Sequence, residues 1–261
     1  MSARNIVLIH GAWAGGWVWD RVCGPLKTAG FDPVVVELPG TGSWNPDDVI
    51  DLAAVTEHVV AVVESLDGPA VLVGHSGGGI VASQVAERIP SQVAGLVYVA
   101  GMMLPSQMDF GMLCAEVGLA SPVGISRWLV PVGDGDATAV PPEAGAAVFF
   151  HEAPVADAIG AARMLAPQLE SARLMAPVWT EERFGTVPRR YVECTLDRTV
   201  PIEAQRAMQR LVPGAQVVSL DTDHAPQLSA LSELIDAITD FTQLVFNRTR
   251  RLEPAAVGPS S

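Results

Sequence analysis

The sequence predicts an α/β fold in which a parallel sheet of about six strands is covered by helices on both faces. Short apolar segments alternate along the chain with longer amphipathic segments, an order that is typical of strands joined by helical crossovers. The apolar segments show no alternation with polar residues, which is typical of strands buried on both faces. A chain of 261 residues, 49% of them hydrophobic, is long enough to bury the core of one such domain.

The predicted elements follow one another as strand and helix. Gly30 ends the first predicted helix, Asp67-Gly68-Pro69 ends the second, and Pro201 suits the start of a later one. The predicted strands are 6–9, 33–38, 70–74, 93–100, 189–194 and 215–220. The predicted helices are 17–29, 47–66, 80–88, 202–211 and 228–246.

The alternation stops at Gly101 and resumes near residue 186. Residues 102–185 contain short helical or loop pieces without a clean strand, and they hold six of the eight methionines. Methionine packs adaptably, so we interpret this segment as a helical cap over an apolar pocket, with most of its large side chains structural. The predicted organisation is a core of residues 1–101 and 186–246, a cap of 102–185 and a disordered tail of 247–261.

Charge and composition exclude several classes of protein. The formal net charge of −13 argues against nucleic-acid binding. The apolar runs are shorter than the ~20 residues of a membrane span, and no signal-peptide pattern precedes the first strand. Cys23, Cys114 and Cys194 are far apart and lack the spacing of metal ligands. We therefore expect a cytoplasmic protein that binds neither membrane nor nucleic acid, with a homodimer as one open option.

The stretch from Val71 to Val81 has the pattern of a nucleophile elbow. An apolar run ends in Gly74-His75-Ser76-Gly77-Gly78, and a segment compatible with a helix follows at once. The pattern Gly-x-Ser-x-Gly alone is weak evidence for a nucleophile, since a glycine-rich turn can contain a serine with no catalytic role. The strand before it and the helix after it favour Ser76 as a nucleophile on a strained turn.

Parallel strands deliver their exit loops to the same edge of a sheet, so distant residues can meet there. Ser76, Asp197 and His224 all follow predicted strands, and their order along the chain is Ser, Asp, His. A serine hydroxyl needs a base, imidazole titrates near neutral pH, and a carboxylate orients the imidazole. The pattern therefore predicts a serine nucleophile with His224 as base and Asp197 as acid.

Other residues compete for the same roles. Among the five histidines, His75 lies inside the elbow, His10 is expected to shape the loop after the first strand, His58 lies in the middle of a helix and His151 lies in the cap. Their positions favour His224 as the base.

Asp221 and Asp223 are near His224 in sequence, but a residue so close in a tight loop rarely faces the imidazole correctly. Asp197 lies in the loop after a different strand, 189–194, and is therefore preferred as the acid of the triad. It would also suit a helix cap before Pro201.

An oxyanion hole needs two converging backbone donors. The N–H of Gly77, directly after the nucleophile, supplies one, and the loop after the first strand offers the N–H of Ala12. No metal-ligand cluster or phosphate-binding loop is evident, and residues 11–16 lack the dinucleotide-binding pattern. We expect no cofactor and no metal.

Short motifs spread over about residues 5–245 identify a family. They are Ile9-His10-Gly11-Ala12-Trp13, Gly16-Trp17, Leu38-Pro39-Gly40, Gly74-His75-Ser76-Gly77-Gly78, Leu196-Asp197, Val200-Pro201 with Gln205, and Asp223-His224 followed by Leu228-Ser229. In these motifs the chain resembles the α/β-hydrolase superfamily, and more narrowly the branch of plant methyl esterases, hydroxynitrile lyases and bacterial carboxylesterases such as pyrethroid hydrolases. The resemblance implies a six-stranded core that lacks the first two strands of the larger fold, with Ser76, Asp197 and His224 as the triad.

Departures from that branch narrow the chemistry. The lyases have a threonine after the histidine of the first loop and a lysine after the catalytic histidine, where this chain has Gly11 and Ala225. Its one lysine, Lys27, lies in the first predicted helix, so no cation of that form is available for a leaving cyanide. Serine at position 76 also argues against dehalogenases and epoxide hydrolases, which use aspartate there.

The sequence thus predicts a serine carboxylesterase that cleaves a small to medium, largely apolar, small-molecule ester through an acyl-enzyme. Four alternatives with the same triad stay open: a lactonase, a C–C bond hydrolase, a cofactor-free haloperoxidase and a polyketide-tailoring enzyme. A fifth, from another class, is a ligand-binding receptor with a vestigial triad.

Overall fold

The computed structural model describes residues 3–44 and 50–252. The strands, in chain order, are β1 (Asn5–Ile9), β2 (Asp32–Val36), β3 (Ala70–His75), β4 (Val93–Val99), β5 (Val130–Val132), β6 (Ala137–Ala139), β7 (Gln168–Leu169), β8 (Arg189–Cys194) and β9 (Ala215–Leu220). The α-helices are α1 (Asp20–Thr28), α2 (Leu52–Glu64), α3 (Gly78–Arg88), α4 (Phe110–Glu116), α5 (Pro142–Val148), α6 (Val155–Met164), α7 (Ile202–Leu211), α8 (Pro226–Ser229) and α9 (Leu231–Leu252). Short 3-10 turns occur at Gly16–Trp19, Pro90–Gln92, Gly124–Arg127 and Phe184–Thr186. None of the described helices is both long enough and apolar enough to cross a bilayer.

The main sheet confirms the predicted fold class. Six parallel strands of the described chain pair in the order β2-β1-β3-β4-β8-β9. Alternate residues of β1 point to opposite faces, so Ile6 and Leu8 pack in the cluster with α1 and α9. Val7 and Ile9 pack in the cluster with α2, α3 and α7. Because the strands are parallel, they end together at one edge, where their exit loops form a common surface.

The first predicted helices are shorter than their patterns suggested. The predicted helix 17–29 begins as the 3-10 turn Gly16–Trp19 and continues as α1. The predicted helix 47–66 is α2 from Leu52, because the carboxylate of Asp51 accepts a 2.9 Å hydrogen bond from the Ala54 N–H and caps the helix there. Residues 47–49 lie outside the described residues.

The last predicted helix is divided in two. Ala230 leaves the helical region, with φ −146° and ψ 51°, and separates α8 from α9. Val245 and Phe246 are buried against the core, and α9 continues past them to Leu252, into the predicted tail 247–261. Residues 253–261 of that tail lie outside the described residues.

The segment predicted as a cap, 102–185, contains more than helices. It holds α4, α5 and α6, but it also holds the antiparallel sheet β5-β6-β7. The expectation of no strand in this segment was wrong, because strands of two or three residues are too short to give a recognisable pattern. A β-bridge between Thr41 and Gln168 joins this small sheet to the loop after β2.

Candidate active site

Ser76 lies on a sharp turn between β3 and α3, as the sequence predicted. Its φ of +53° is in the left-handed region, which residues other than glycine rarely adopt. The Ser76 N–H donates to the Val99 carbonyl at 3.1 Å, and the Ser76 carbonyl accepts from the Met102 N–H at 2.9 Å. A Cβ on Gly78 would lie 2.6 Å from the His10 carbonyl oxygen, so glycine is needed where this turn passes the end of β1. Backbone contacts on several sides therefore hold the strained residue in place.

His224 and Asp197 meet at the edge of the sheet although 27 residues separate them in sequence. The imidazole Nδ1 lies 2.7 Å from Asp197 Oδ2, and both side chains are almost completely buried. The other carboxylate oxygen, Oδ1, accepts from the backbone N–H groups of Thr199 at 2.7 Å and Val200 at 3.0 Å. These donors fix the carboxylate, and the carboxylate fixes the imidazole ring. A carboxylate accepts only, so Nδ1 carries the proton and Nε2 stays free to act as a base.

The two aspartates near His224 in sequence bind elsewhere. Asp221 accepts a hydrogen bond from the Thr195 hydroxyl at 2.7 Å. Asp223 accepts from the Glu152 N–H at 2.8 Å through Oδ2. Its Oδ1 accepts from the Ala225 N–H and from the Ser229 hydroxyl. Asp223 therefore holds the loop that carries His224, while Asp197 pairs with its ring.

His10 and His75 support the site as neutral imidazoles. His10 Nδ1 donates to the Gly11 carbonyl at 2.8 Å, and its Nε2 accepts from the Leu38 N–H at 3.0 Å. Burial lowers the pKa of His10, in keeping with an Nε2 that accepts. His75 Nε2 donates to the carbonyl of His224 at 2.7 Å. Burial, together with the nearby imidazole of His224, lowers the pKa of His75 to about 3.

The remaining histidines, His58 and His151, do not line the described cavities that Ser76 lines. His58 is exposed on α2. His151 lies in the cap, with its Nε2 3.8 Å from a carboxylate oxygen of Glu152. In the described part of the chain, no group of three or more histidine, cysteine or acidic residues is arranged to hold a metal ion.

Ala12 and Gly77 line the same cavity as Ser76. A Cβ on Gly77 would lie 3.8 Å from the backbone nitrogen of Ala12. Neither of these two N–H groups donates a hydrogen bond to another residue within the ranges that the structure describes. The two donors that the sequence predicted for an oxyanion are thus close together and uncommitted.

Gln168 supports the loop that carries Ala12, and sequence reasoning missed it. Its Oε1 accepts from the Trp13 N–H at 3.0 Å and from the Thr41 hydroxyl at 2.7 Å. Trp13 itself has a φ of +57°, so this buried amide holds a strained residue next to Ala12. A single glutamine between short apolar pieces gives no signal in the sequence that would reveal this contact.

Two cavities meet at Ser76. The larger, of about 240 Å³, reaches Gly77 and extends beneath the cap; its apolar lining includes Phe110, Met102 and Met175. The smaller, of about 30 Å³, lies on the side of His224 and is lined by aromatic residues that include Phe149 and Phe150. Most of the six cap methionines lie outside these linings. Residues of the predicted cap segment, such as Phe110 and Met175, thus supply part of the apolar lining.

The comparison with known families gives the class of this protein. Residues 6–237 match the model of the alpha/beta hydrolase family. The chain therefore belongs to that family, and the resemblance predicted from its motifs is confirmed.

Individual relatives are similar over most of their length. The chain is 30% identical to a pyrethroid hydrolase of Sphingobium wenxiniae over 250 residues, which cover 92% of this chain and 88% of the relative. It is 30% identical to Methylesterase 7 of Arabidopsis thaliana over 251 residues, 89% of this chain and 94% of that one. Among solved structures, a pyrethroid hydrolase from Sphingobium faniae superposes with a TM-score of 0.78 at 28% identity, covering 92% of this chain and 97% of that chain.

Proposed function

We propose that this protein is a serine carboxylic ester hydrolase in which Ser76, His224 and Asp197 form the catalytic triad. The observation that carries the proposal is the 2.7 Å contact between His224 Nδ1 and Asp197 Oδ2, beside a serine on a strained strand-to-helix turn. Ser76 and His224 line the same cavity. Relatives that are named for ester cleavage, at 30% identity over most of the chain, support the same reaction.

The proposed reaction follows from the positions of these groups. His224 Nε2 takes the proton of the Ser76 hydroxyl as Oγ attacks the ester carbonyl carbon. The carbonyl oxygen becomes an oxyanion, and the N–H groups of Ala12 and Gly77 stabilise it. The imidazolium, held by Asp197, then protonates the leaving alkoxide, and the alcohol departs from an acyl-enzyme. Water, deprotonated by His224, attacks this acyl group and releases the acid and the free serine.

The two cavities suggest how an ester lies in the site. The larger cavity adjoins Gly77, one of the proposed oxyanion donors, so we assign the acyl group to it. The smaller cavity adjoins His224, which protonates the leaving oxygen, so we assign the alcohol to it. This arrangement suits an apolar acyl group of small to medium size and a small alcohol.

Gly11 favours hydrolysis over cyanohydrin cleavage. A Cβ at this position would lie 2.7 Å from the Ser76 Cβ and 3.3 Å from its Oγ. A side chain such as the threonine of the related lyases therefore does not fit beside Ser76 on this backbone.

Replacement of Ser76 tests the proposal. The native protein should hydrolyse p-nitrophenyl acetate and become labelled at Ser76 by a fluorophosphonate, whereas Ser76→Ala should lose both properties. Full activity of Ser76→Ala would disprove the serine mechanism. A native protein that neither turns over esters nor reacts with the fluorophosphonate would favour a ligand-binding receptor.

The amino-acid composition supports proposals about the cellular location and the binding partners of the protein. We keep a cytoplasmic location, because the three free cysteines are far apart and Cys114 and Cys194 are buried, as in proteins of reducing compartments. The net charge of −13 supports a protein that does not bind nucleic acid. A homodimer stays an open option, which sedimentation measurements would test.

A further inference from the structure

Polar atoms without a partner gather around the small cavity beside His224. Gln227 is only 1% exposed, and neither its Oε1 nor its Nε2 has a hydrogen-bond partner in the described chain. The same holds for Nδ1 of His75, which is 6% exposed. Gln227 and His75 line this cavity together with Ser76 and His224.

The hydrogen-bonding character of these atoms can be assigned. His75 Nε2 donates to the carbonyl of His224, so the neutral ring leaves Nδ1 as a bare acceptor. The Gln227 amide adds one acceptor oxygen and one donor nitrogen. The cavity thus has two acceptors and one amide donor group in its lining, and a hydroxyl can donate its proton to one of these acceptors while it accepts from the amide nitrogen.

The rest of the lining makes a buried amide costly here. The other walls include Val18, Phe149 and Phe150, whose side chains are apolar. Buried polar side chains are almost always paired, with protein, water or ligand, and an apolar residue of similar size would suit these walls better unless the amide binds something. Gln227 is therefore best explained by a ligand that carries an O–H group.

We propose that Gln227 and His75 form a hydroxyl-binding site for the leaving alcohol, so that the enzyme prefers esters of small alcohols with a second hydroxyl group. This rests on the proposed function, in which His224 protonates the leaving oxygen and the alcohol lies in the small cavity. A volume of about 30 Å³ has room for about two water-sized groups, which matches the outer atoms of a glycol monoester. Gln227 is then a specificity-determining residue on the alcohol side of the cleaved bond.

The test compares two esters of equal size, 2-hydroxyethyl butanoate and propyl butanoate. The first ester has a hydroxyl where the second has a methyl group. The native enzyme should have a kcat/KM for 2-hydroxyethyl butanoate that is about tenfold higher or more, because propyl butanoate leaves the buried polar groups unpaired. Gln227→Met removes the amide at similar volume and should bring the ratio to one or below. Gln216→Met, at an exposed glutamine on β9 that accepts from Arg190, should keep the native ratio.

The outcomes separate this inference from the proposed function. A native kcat/KM ratio near one for the two esters overturns the hydroxyl site, and this measurement needs no variant. A ratio that Gln227→Met leaves unchanged overturns it as well. Ester hydrolysis stands in both cases. A further outcome is that Gln227→Met slows deacylation, which p-nitrophenyl acetate would report as a burst of p-nitrophenolate. If this happens while the native ratio is near one, the hydroxyl bound at Gln227 is that of water, and the assignment to the leaving alcohol is overturned. If the native protein hydrolyses neither ester and Ser76 resists fluorophosphonate, the proposed function itself has failed.

Discussion

The carboxylate of Asp223 accepts a 2.6 Å hydrogen bond from the hydroxyl of Ser229, whereas the adjacent His224 pairs with Asp197. The two aspartates thus have different tasks. Asp223 links the loop of His224 to α8 and, through the Glu152 N–H, to the cap. Of these two aspartates, only Asp197 pairs with the imidazole.

Replacement of these aspartates should separate orientation of the base from stability. We expect Asp197→Asn to lower kcat on the order of 10⁴-fold, because the amide favours the wrong imidazole tautomer. Asp223→Asn should keep kcat within about tenfold of the native value but lower the free energy of unfolding by about 1–3 kcal/mol. Steady-state kinetics and urea unfolding measure both effects. The exposed Asp221→Asn is the control, and a greater loss of kcat in Asp223→Asn than in Asp197→Asn would refute the assignment.

Gly11 should tolerate no side chain. In Gly11→Ala the new methyl group would meet the Ser76 Cβ at 2.7 Å, so the nucleophile must move. A displacement of about 1 Å costs about 100-fold in rate, and we expect kcat/KM for p-nitrophenyl acetate to fall by at least that factor. Gly160→Ala is the matched control, since a Cβ there meets nothing within 4 Å and alanine in α6 should raise stability by about 0.5–1 kcal/mol. Equal activity of the two variants would contradict the prediction.

Gln168 should be required for the loop that carries Ala12. Gln168→Leu leaves the Trp13 N–H without its acceptor, so the loop loosens and the oxyanion loses a well-placed donor. We expect kcat to fall by about 100-fold, as in the loss of an oxyanion donor, with KM changing much less. Thr41→Val removes the second donor to the same oxygen but keeps the Trp13 contact, and should affect stability alone. Similar kcat values for Gln168→Leu and Thr41→Val would show that the amide has no part in positioning.

His75 should make the protein less stable in acid. Its pKa falls from 6.5 to about 3 on folding, so between these values the unfolded chain binds a proton that the folded chain does not. Stability therefore declines as the pH falls from about 6.5 to 3, with a slope approaching about 1.4 kcal/mol per pH unit from this group. Urea unfolding between pH 4 and 7 should show a shallower decline in His75→Gln, with His58→Gln, at an exposed position of α2, as the control. An unchanged slope in His75→Gln would exclude this role.

The sequence by itself determined the sheet and the residues at its edge. The central strands β1, β3 and β4 are almost entirely buried and apolar, a pattern strong enough to predict a parallel sheet that is covered on both faces. Parallel order then brings Ser76, Asp197 and His224 to one edge, since every strand exits on the same side. The Gly-x-Ser-x-Gly pattern between a strand and a helix predicted the strained turn that the structure has at Ser76.

Tertiary structure alone decided what surrounds those residues. The short strands β5, β6 and β7 depend on pairing across distant segments, which no local pattern records. The contact of Gln168 with Trp13 joins residues 155 positions apart. The partnerless amide of Gln227 became visible only when α8 placed it in a cavity with His75. Periodicity reports which side of an element is buried, but side-chain partners depend on how the elements pack, and these partners set the substrate that Ser76 accepts.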